Sequence, residues 1–600
     1  MTKFNPMGAK HIVLLHQRRA SFQVKPKAVL TQAEAVLEAE KCLLCVDAPC
    51  ASACPASTQP DKFLRQLRFD NPVGGAITVL DNNPLGGICG QVCPVSRLCE
   101  GACVRGKFDH PVQIGAVQKY LHDFGIEHGV ESPPCSPSSS TQHKVAIVGA
   151  GPGGLAAARE LRRRGAEVTI FEQHSDSGGA LKHALSPFRI DHDTVQEEVQ
   201  RITDMGVTIQ TNHRVNSVHE LFEQGFDDVF VAPGLQDSRD VALRIPEGVK
   251  REDRVVSALS YLYSANTDVI KAREMSSNKH VTVIGGGSVA LDCAITAKAL
   301  GAVSVNVVAV ESMENLPADR DEIAQAHDLG IVFHPQMRVS GLGVKNTVLL
   351  EGAPDTSGDS FCIDGCILSS TVIIAAGQKL DCDGENLVYN AAGSTDLKLV
   401  STLEDEMSTR GETQRDNSSH VRVYYAGGDA MTAGGSTVVS AVANGKRAAH
   451  LILPNVIPPT REKVSLTTDF CGVQFENPFC LSSSPVTNSA DMIAEAYDHG
   501  WAGAYYKTLN REDKFHISHP SPRLNAVHSS HGVNRRMGVG IQNVEQISDR
   551  PLVDNLADIE WLRKKYPTKV TAVSIMGYDV DDWAYLAAAA EVSLIQLLMY

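Results

Sequence analysis

The sequence predicts a multidomain protein in which an α-helical, cysteine-rich region precedes two α/β units and a C-terminal block of alternating strands and helices. Three observations predict this architecture. Cysteines are concentrated in one early stretch, from Cys42 to Cys103. A buried-strand pattern, a glycine turn and a helical pattern follow one another twice, at HKVAIVGAGPGG and HVTVIGGGSVAL. Beyond Ser465, strand patterns alternate with helical ones, as in a parallel barrel.

Length and composition limit the possible functions. A chain of 600 residues is too long for one hydrophobic core, and we expect roughly three to five domains. No apolar run is long enough to cross a membrane and the first residues do not form a secretory signal, so we expect a cytoplasmic protein. The formal charge of −15 argues against nucleic acid as a partner, because phosphate backbones would be repelled.

Two segments have the composition of linkers. Residues 131–142 are rich in serine and proline, and residues 454–463 are rich in proline and charge. They divide the chain into three blocks. The first block contains helical patterns such as TQAEAVLEAEKCLLC and has little strand signal.

The cysteine spacing predicts iron–sulfur ligation. The first group runs Cys42-x2-Cys45-x4-Cys50-x3-Cys54-Pro55, and the second runs Cys89-x3-Cys93-Pro94 followed by Cys99-x3-Cys103. In ferredoxin-like sequences, three closely spaced cysteines serve one cluster and a later Cys-Pro ligand serves another, and Cys54 fits that later role. The alternative is structural zinc, which favours two separated Cys-x2-Cys knuckles. We assign no chemistry to the cysteines scattered beyond this region.

The first α/β unit carries a complete dinucleotide fingerprint. Gly149, Gly151 and Gly154 follow the strand pattern VAIV and open a helix, and Glu172 ends the next strand pattern, VTIFE. The glycines allow a tight turn close to a pyrophosphate, the helix N-terminus favours its negative charge, and the acidic residue can bind a ribose. A later turn at Gly428 and Asp429 is placed to present Asp429 to a flavin, although its composition alone indicates only a turn.

The second unit has the same pattern in the form Gly-x-Gly-x-x-Ala, at Gly285, Gly287 and Ala290. Glu311 follows the next strand pattern, SVNVV. An acidic residue there suits a free ribose 2′-hydroxyl and repels a 2′-phosphate, so we expect NADH in preference to NADPH. The alternative is that Glu311 faces solvent and selects neither nucleotide.

Together these features resemble the electron-input half of dihydropyrimidine dehydrogenase, a layout shared with the small subunit of bacterial glutamate synthase. The resemblance implies two 4Fe–4S clusters in the helical region, FAD in the first Rossmann-like nucleotide-binding unit and the nicotinamide nucleotide in a second such unit inserted into it. The expected domains are residues 1–135 for the clusters, 136–245 with 390–460 for FAD, 246–389 for NAD(P)H and 461–600 for a further domain.

By this resemblance, one cluster would be bound by Cys42, Cys45, Cys50 and Cys103. The other would be bound by Cys54, Cys93, Cys99 and Gln118. The family replaces a fourth thiolate with a glutamine, and PVQIGAVQKY matches that segment. Cys89 remains the alternative to Gln118, because a thiolate is ordinarily a better iron ligand than an amide.

Residues 461–600 resemble the start of the family's FMN barrel, which is related to dihydroorotate dehydrogenase. By position, Ser483, Lys507, Thr508 and Asn543 would contact FMN. The segment has about half of the ~250 residues typical of a (β/α)8 barrel. We therefore expect a truncated barrel without the family's catalytic cysteine loop or its complete pyrimidine site.

The expected activity is that of an NAD(P)H-dependent oxidoreductase. NADH would give hydride to FAD, which would pass electrons singly to the clusters. In the complete family enzyme, these electrons reduce the 5,6 double bond of uracil or thymine. One alternative is an electron-delivering subunit for a separate acceptor chain, as in glutamate synthase, and another is a non-catalytic fragment. The resemblance also suggests a homodimer. No side chain is assigned a catalytic role.

Overall fold

The chain divides into two compact units, Met1–Arg461 and Glu462–Tyr600. The predicted linkers at 131–142 and 454–463 lie largely outside the described residues. Within the described part of the chain, no helix is both long and apolar enough to cross a membrane. The computed structural model describes residues 29–135, 143–190, 192–353, 365–381, 397–401, 422–431, 437–454, 456, 465–514, 524–528, 538–543, 547–592 and 597–599.

The cysteine-rich region is helical, as the sequence predicts. Helix α1 begins at a capping box, in which Thr31 and Glu34 each accept a hydrogen bond from the other's backbone N–H. Four of the helices (α1, α3, α4 and α6) pack around one apolar core that includes Phe63, Leu64 and Leu121. The helices are α1 (Gln32–Glu40), α2 (Pro49–Ser52), α3 (Pro60–Arg68), α4 (Pro72–Asn82), α5 (Gly86–Val92) and α6 (Ile114–Glu127).

The first α/β unit begins with alternating strands and helices. Strands β1 and β2 pair in parallel, and the helix between them crosses over the sheet. The strands are β1 (Lys144–Val148), β2 (Glu167–Phe171), β3 (Thr208–Gln210) and β4 (Asp228–Val231). The helices are α7 (Pro152–Arg163), α8 (Ala180–His183), α9 (His192–Asp204) and α10 (Val218–Glu223).

The second α/β unit has its own parallel sheet, with strands in the order β6–β13–β7–β8–β9, and an antiparallel sheet of β10, β11 and β12. Its strands are β5 (Asp237–Ser238), β6 (Val255–Ser257), β7 (His280–Ile284), β8 (Ser304–Val308), β9 (Val332–His334), β10 (Met337–Gly343), β11 (Thr347–Gly352), β12 (Gly365–Leu368), β13 (Thr371–Ile374) and β14 (Gln378–Lys379). Its helices are α11 (Ala258–Thr267), α12 (Val269–Ser276), α13 (Ser288–Ala299) and α14 (Arg320–Asp328). Strands β5 and β14 pair antiparallel where the chain enters and leaves this unit.

The chain then returns to the first sheet through β15 (Leu397–Ser401) and β16 (Arg422–Ala426), and ends the unit with α15 (Val438–Ile452). The completed sheet has the order β15–β16–β4–β1–β2–β3 with all strands parallel. Helix α15 packs closely on α7 at Gly445, where an added Cβ would lie 2.1 Å from the carbonyl oxygen of Gly153.

The C-terminal unit also alternates strands with helices. A parallel sheet has the order β19–β20–β23–β24, and the helices between its strands pack on a core that includes Ile493, Tyr506 and Val573. The strands are β17 (Thr468–Phe470), β18 (Val473–Phe475), β19 (Cys480–Leu481), β20 (Gly503–Leu509), β21 (Leu524–His528), β22 (Gly538–Asn543), β23 (Val570–Ile575) and β24 (Leu597–Met599). The helices are α16 (Ala490–Asp498), α17 (Leu552–Lys565) and α18 (Val580–Val592).

Candidate functional site

The predicted cysteine ligands lie in short helices, at helix ends or in the loops that follow them, whereas Gln118 lies within a long helix. Cys42, Cys50, Cys99 and Cys103 pack against the same apolar core, so the fold brings together both halves of the cysteine motif. Cys42 and Cys45 follow α1, Cys50 lies in α2, and Cys54 follows α2. Cys93 follows α5, Cys99 and Cys103 lie between α5 and α6, and Gln118 lies in α6.

Cys42, Cys45, Cys50 and Cys103 are electrostatic neighbours. Burial raises the pKa of the Cys50 thiol to about 12, and the nearby Asp61 carboxylate, Cys42 and Cys103 add to the increase. Burial also raises the pKa of Cys42, with further contributions from Cys103 and Cys45. Such thiols resist ionisation unless a bound cation compensates the negative charge. An iron centre, with its positive charge, suits this group.

The remaining cysteines form two pairs, and one of them, Cys99, is also an electrostatic neighbour of Cys50. Burial raises the pKa of Cys99 to about 12, and the nearby Glu100 and Cys54 add to it. The thiol of Cys89 hydrogen-bonds to that of Cys93, and this bond together with complete burial raises the pKa of Cys89. Cys54 therefore lies near Cys99, and Cys93 lies next to Cys89, the alternative ligand.

Gln118 is buried against the same helix that carries Cys89. Its Nε2 donates a hydrogen bond of 2.7 Å to the carbonyl oxygen of Gly86, the first residue of α5. This bond holds the amide nitrogen, which leaves the amide oxygen as the ligand atom if Gln118 binds iron. Of the two candidates for the eighth ligand, Cys89 bonds to Cys93, whereas Gln118 bonds to the first residue of α5. In the part of the chain that the structure describes, no three thiol, imidazole or carboxylate groups are arranged to bind a single metal ion.

The first glycine turn has space for a ligand. Gly149 has φ +100°, and a Cβ there would lie 2.4 Å from the carbonyl oxygen of Ala232. A Cβ on Gly154 would lie 1.9 Å from the carbonyl oxygen of Gly149, so both positions require glycine for the fold itself. Gly151 differs, because a Cβ there would meet no atom within 4 Å. This open space lies at the N-terminus of α7, where a pyrophosphate would be stabilised.

Glu172 is fixed beside this turn. Its Oε2 accepts a hydrogen bond of 2.8 Å from the backbone N–H of Ala150, and its Oε1 accepts one of 2.9 Å from the N–H of His174. Burial opposes ionisation, but the hydrogen bonds from His174 and Ala150 lower the pKa of Glu172 overall. The carboxylate is therefore charged and oriented at the end of β2.

The turn at Gly428 and Asp429 lies beside the first glycine turn. It forms a short 3-10 helix, Gly428–Met431, and Gly428 has φ +69°. A Cβ on Gly153 would lie 3.9 Å from the Cα of Gly428. Asp429 thus follows directly on a residue that contacts the N-terminal turn of α7.

The second glycine turn repeats the geometry of the first. Gly285 has φ +127°, and a Cβ there would lie 2.3 Å from the carbonyl oxygen of Ala375, whereas a Cβ on Gly287 would meet no atom within 4 Å. Ala290 is buried in α13. The Glu311 carboxylate reaches the turn, since its Oε2 would lie 3.2 Å from a Cβ placed on Gly286. Glu311 therefore faces the turn and does not simply extend into solvent.

In the C-terminal unit, predicted FMN contacts lie at the carboxyl ends of neighbouring strands. The hydroxyls of Ser483 and Thr508 are 3.4 Å apart, and Thr508 donates to Ser574 at 3.1 Å. Lys507 lies in β20 and is buried. Asn543 is the last residue of β22, and its side chain lies outside the described part of the structure.

Sequence reasoning missed the basic residues that join the cysteine-rich region to the α/β units. Lys446 Nζ donates to the carbonyl oxygens of Ala56 at 2.5 Å and Asn82 at 2.7 Å. Arg97 Nη2 donates to the carbonyl oxygen of Pro317 at 2.9 Å. Because the acceptors are backbone carbonyls, which every residue type carries, no sequence motif signals these bonds.

Comparison with known proteins identifies relatives over the same regions. Residues 18–130 match the family model described as dihydropyrimidine dehydrogenase domain II, 4Fe–4S cluster, and residues 143–445 match that of the pyridine nucleotide–disulphide oxidoreductases. The NAD-dependent dihydropyrimidine dehydrogenase subunit PreT of Escherichia coli K12 is 34% identical over 420 residues, which cover 70% of this chain and 93% of PreT.

A second relative has a different name. A protein of Cereibacter sphaeroides with the provisional name glutamate synthase (NADPH) small chain is 33% identical over 396 residues, which cover 62% of this chain and 91% of that protein. Among solved structures, FprA from Mycobacterium tuberculosis aligns with 52% of this chain and 85% of its own, with a TM-score of 0.41 and 17% identity.

Proposed function

Because this chain belongs to the pyridine nucleotide–disulphide oxidoreductase family and is homologous to PreT, we propose that it is the electron-input component of a dihydropyrimidine dehydrogenase. It is an NAD(P)H-dependent flavin and iron–sulfur oxidoreductase, with a 4Fe–4S domain preceding the nucleotide-binding units. One observation carries the proposal: the cysteine groups and both glycine turns lie within a single compact unit, Met1–Arg461.

FAD would bind at the first glycine turn. Gly149 and Gly154 shape the turn, Gly151 leaves room for the pyrophosphate, and Glu172 is oriented to accept a hydrogen bond from the ribose. Asp429, beside the N-terminus of α7, would complete the site. When bound, FAD can accept two electrons as hydride and release them one at a time, which is the chemistry that links a nicotinamide to iron–sulfur clusters.

The nicotinamide nucleotide would bind at the second turn. Gly285 shapes that turn, Gly287 leaves room for the pyrophosphate, and Ala290 allows α13 to pack closely on the sheet. Glu311 faces the turn, where it would accept a hydrogen bond from a free 2′-hydroxyl and repel a 2′-phosphate. This geometry supports NADH as the preferred reductant.

Two 4Fe–4S clusters would occupy the cysteine-rich region. The proposed ligands of one are Cys42, Cys45, Cys50 and Cys103, and those of the other are Cys54, Cys93, Cys99 and Gln118. Cys93 is buried and the other six cysteines are partly buried, so the surrounding protein would adjust the potentials of the clusters. Cys89 is the alternative to Gln118, because its thiol already bonds to that of Cys93.

The final acceptor would be uracil or thymine, reduced at the 5,6 double bond with a partner chain. PreT is named as a subunit, which supports such a partner. Residues 461–600 would contribute consecutive βα units of an FMN barrel, with Ser483, Lys507, Thr508 and Asn543 at the flavin. We infer domain limits of 1–135, 136–245 with 390–460, 246–389 and 461–600. The likeness to the glutamate synthase small chain supports a second candidate, delivery of electrons to a different acceptor chain.

The test is anaerobic purification followed by measurement of iron, sulfide and flavin, with NADH-driven reduction of a dye and of uracil on the same sample. Two clusters, FAD and dye reduction would support the proposal. Zinc without flavin would overturn it. Uracil reduction after addition of a co-purifying FMN-containing chain would favour the pyrimidine enzyme, whereas its absence with that chain present would favour the second candidate.

A further inference from the structure

A buried chain of hydrogen bonds ends on the thiol of Cys54. Thr58 and Asn83 are each only 1% exposed. The Cys54 sulfur lies 3.3 Å from the Thr58 hydroxyl and accepts a hydrogen bond of 3.5 Å from the Thr58 backbone N–H. The Nδ2 of Asn83 donates to the same hydroxyl at 3.2 Å. Thr58 thus contacts Cys54 directly, and Asn83, whose side chain also hydrogen-bonds to Cys89, contacts it through Thr58.

The direction of these hydrogen bonds is fixed by the backbone. The Oδ1 of Asn83 accepts a hydrogen bond of 3.0 Å from the N–H of Leu85, so the amide nitrogen must face Thr58. The Thr58 oxygen therefore acts as an acceptor toward Asn83, and its own hydrogen remains for the sulfur. A free thiol can donate to Thr58, but an iron-bound thiolate has no hydrogen. In that state Thr58 must be the donor.

Lys446 holds the two segments that carry this chain. Its ammonium group donates to the carbonyl oxygen of Ala56, two residues after Cys54, and to that of Asn82, next to Asn83. The residue lies in α15 of the first α/β unit. Cys54 and Cys99 pack against a core that the helical region shares with that unit, whereas Cys42, Cys50 and Cys103 pack against the core formed within the helical region. Cys54 is therefore on the side of the flavin unit.

We propose that Thr58, oriented by Asn83, is a positioning residue that raises the reduction potential of the cluster bound by Cys54. A hydrogen bond to a ligand sulfur stabilises the more negative, reduced state of a cluster. On the flavin side, a raised potential favours acceptance of a single electron from reduced flavin. This inference rests on the proposed function, in which Cys54 is a cluster ligand.

The test is a redox titration of the anaerobic holoprotein, followed by electron paramagnetic resonance so that the two clusters are measured separately. Thr58→Val removes the hydroxyl and keeps the shape. We expect reduction of one cluster to become about tenfold less favourable, which is about 59 mV for one electron, while the other is unchanged. Thr58→Ser keeps the hydroxyl and should retain the wild-type potential. Thr78→Val is the matched control, because that buried hydroxyl bonds to Gln66 at 2.7 Å.

A second variant keeps the inference testable if Thr58→Val loses a cluster. Asn83→Ala leaves Thr58 in place but removes the group that orients it, and should lower the same potential by a smaller amount. Unchanged potentials in Asn83→Ala, or in a Thr58→Val protein that holds both clusters, would overturn the inference alone. A wild-type protein that binds no iron would overturn the ligand assignment and this inference with it.

Discussion

Arg189 Nη1 lies 3.2 Å from Asp292 Oδ2, while Nη2 of the same guanidinium donates to the carbonyl oxygen of Val92 at 3.1 Å. Arg189 belongs to the first α/β unit, Asp292 to α13 of the second, and Val92 ends α5 immediately before Cys93. One side chain therefore contacts both nucleotide-binding units and the cysteine-rich region. Burial raises the pKa of Asp292 to about 6, although Arg189 opposes the increase.

Replacing Arg189 should destabilise the first compact unit. Arg189→Met leaves the carboxylates of Asp292 and Glu322 without their shared cation. We expect a loss of about 3 kcal/mol in the free energy of unfolding, because removing one member of a buried ion pair strands the other charge. Urea unfolding followed by flavin fluorescence measures this loss. The double variant Arg189→Met/Asp292→Leu should recover part of it. A double variant as unstable as the sum of the two single changes would show that the two groups are not coupled.

The buried His122 should make stability depend on pH. Its Nδ1 is 3.1 Å from Asp123 Oδ1 and its Nε2 is 3.2 Å from Glu198 Oε1. Burial alone would lower the pKa of His122, but the hydrogen bonds and negative charges of Asp123 and Glu198 outweigh it and raise the pKa from 6.5 to about 9. A folded-state pKa above the unfolded value adds stability below pH 6.5, and this contribution is lost as pH rises to about 9.

The contribution of protonated His122 should be on the order of 3 kcal/mol. The thermal unfolding midpoint of the wild type should therefore decrease as the pH is raised from 6.5 to 9. The midpoint of His122→Gln should be lower than that of the wild type at pH 6.5 and should change less with pH. His128→Gln, at an exposed histidine next to the end of α6, is the control and should keep the wild-type profile. Parallel profiles for the wild type and His122→Gln would contradict the assignment.

Gly287→Ala should separate nicotinamide binding from folding. The new Cβ enters open space at the N-terminus of α13, so the protein should fold and retain FAD and iron. The methyl group would occupy the space expected for the pyrophosphate, and we expect NADH affinity to fall at least about tenfold, which corresponds to about 1.4 kcal/mol. Titration of NADH at equilibrium checks this. Gly365→Ala, in β12 of the same unit, is the control and should bind NADH with wild-type affinity.

Glu311→Arg should shift nucleotide preference toward NADPH. The guanidinium would attract the 2′-phosphate that the wild-type carboxylate repels. The ratio of kcat/KM for the two nucleotides measures the preference. Glu314→Arg, at an exposed position three residues further along the same loop, provides the same change of charge away from the glycine turn. If both variants change the ratio equally, the effect is one of net charge and Glu311 does not contact the ribose.

The turns of the two nucleotide units were predictable because their requirements are local. Gly149 and Gly285 need positive φ and close approach to a backbone carbonyl, and glycine meets both needs. Helix α1 was predictable for a similar reason, since its capping box lies within four consecutive residues. Cysteine spacing predicted iron–sulfur ligation, but the division of the cysteines between two clusters came from the family resemblance.

The contacts that join the cysteine-rich region to the α/β units were not predictable. Lys446 lies 390 positions from Ala56 in the sequence, and Asn83 lies 25 positions from Thr58. These pairs meet only after α15 has packed on α7 and the helices of the cysteine-rich region have formed their core. The orientation of Thr58 depends further on one backbone N–H, at Leu85. Such bonds are a consequence of tertiary structure.

The passage of electrons from NADH to the cysteine-bound clusters can be followed directly. Anaerobic holoprotein is mixed with NADH, flavin absorbance is recorded, and the sample is frozen for electron paramagnetic resonance. We predict bleaching of the flavin and the signal of reduced 4Fe–4S clusters, with both forming more slowly in Gly287→Ala at the same sub-saturating NADH concentration. Flavin bleaching without a cluster signal, in a protein that contains iron and sulfide, would contradict the proposal that this chain passes electrons from nicotinamide to cysteine-bound clusters.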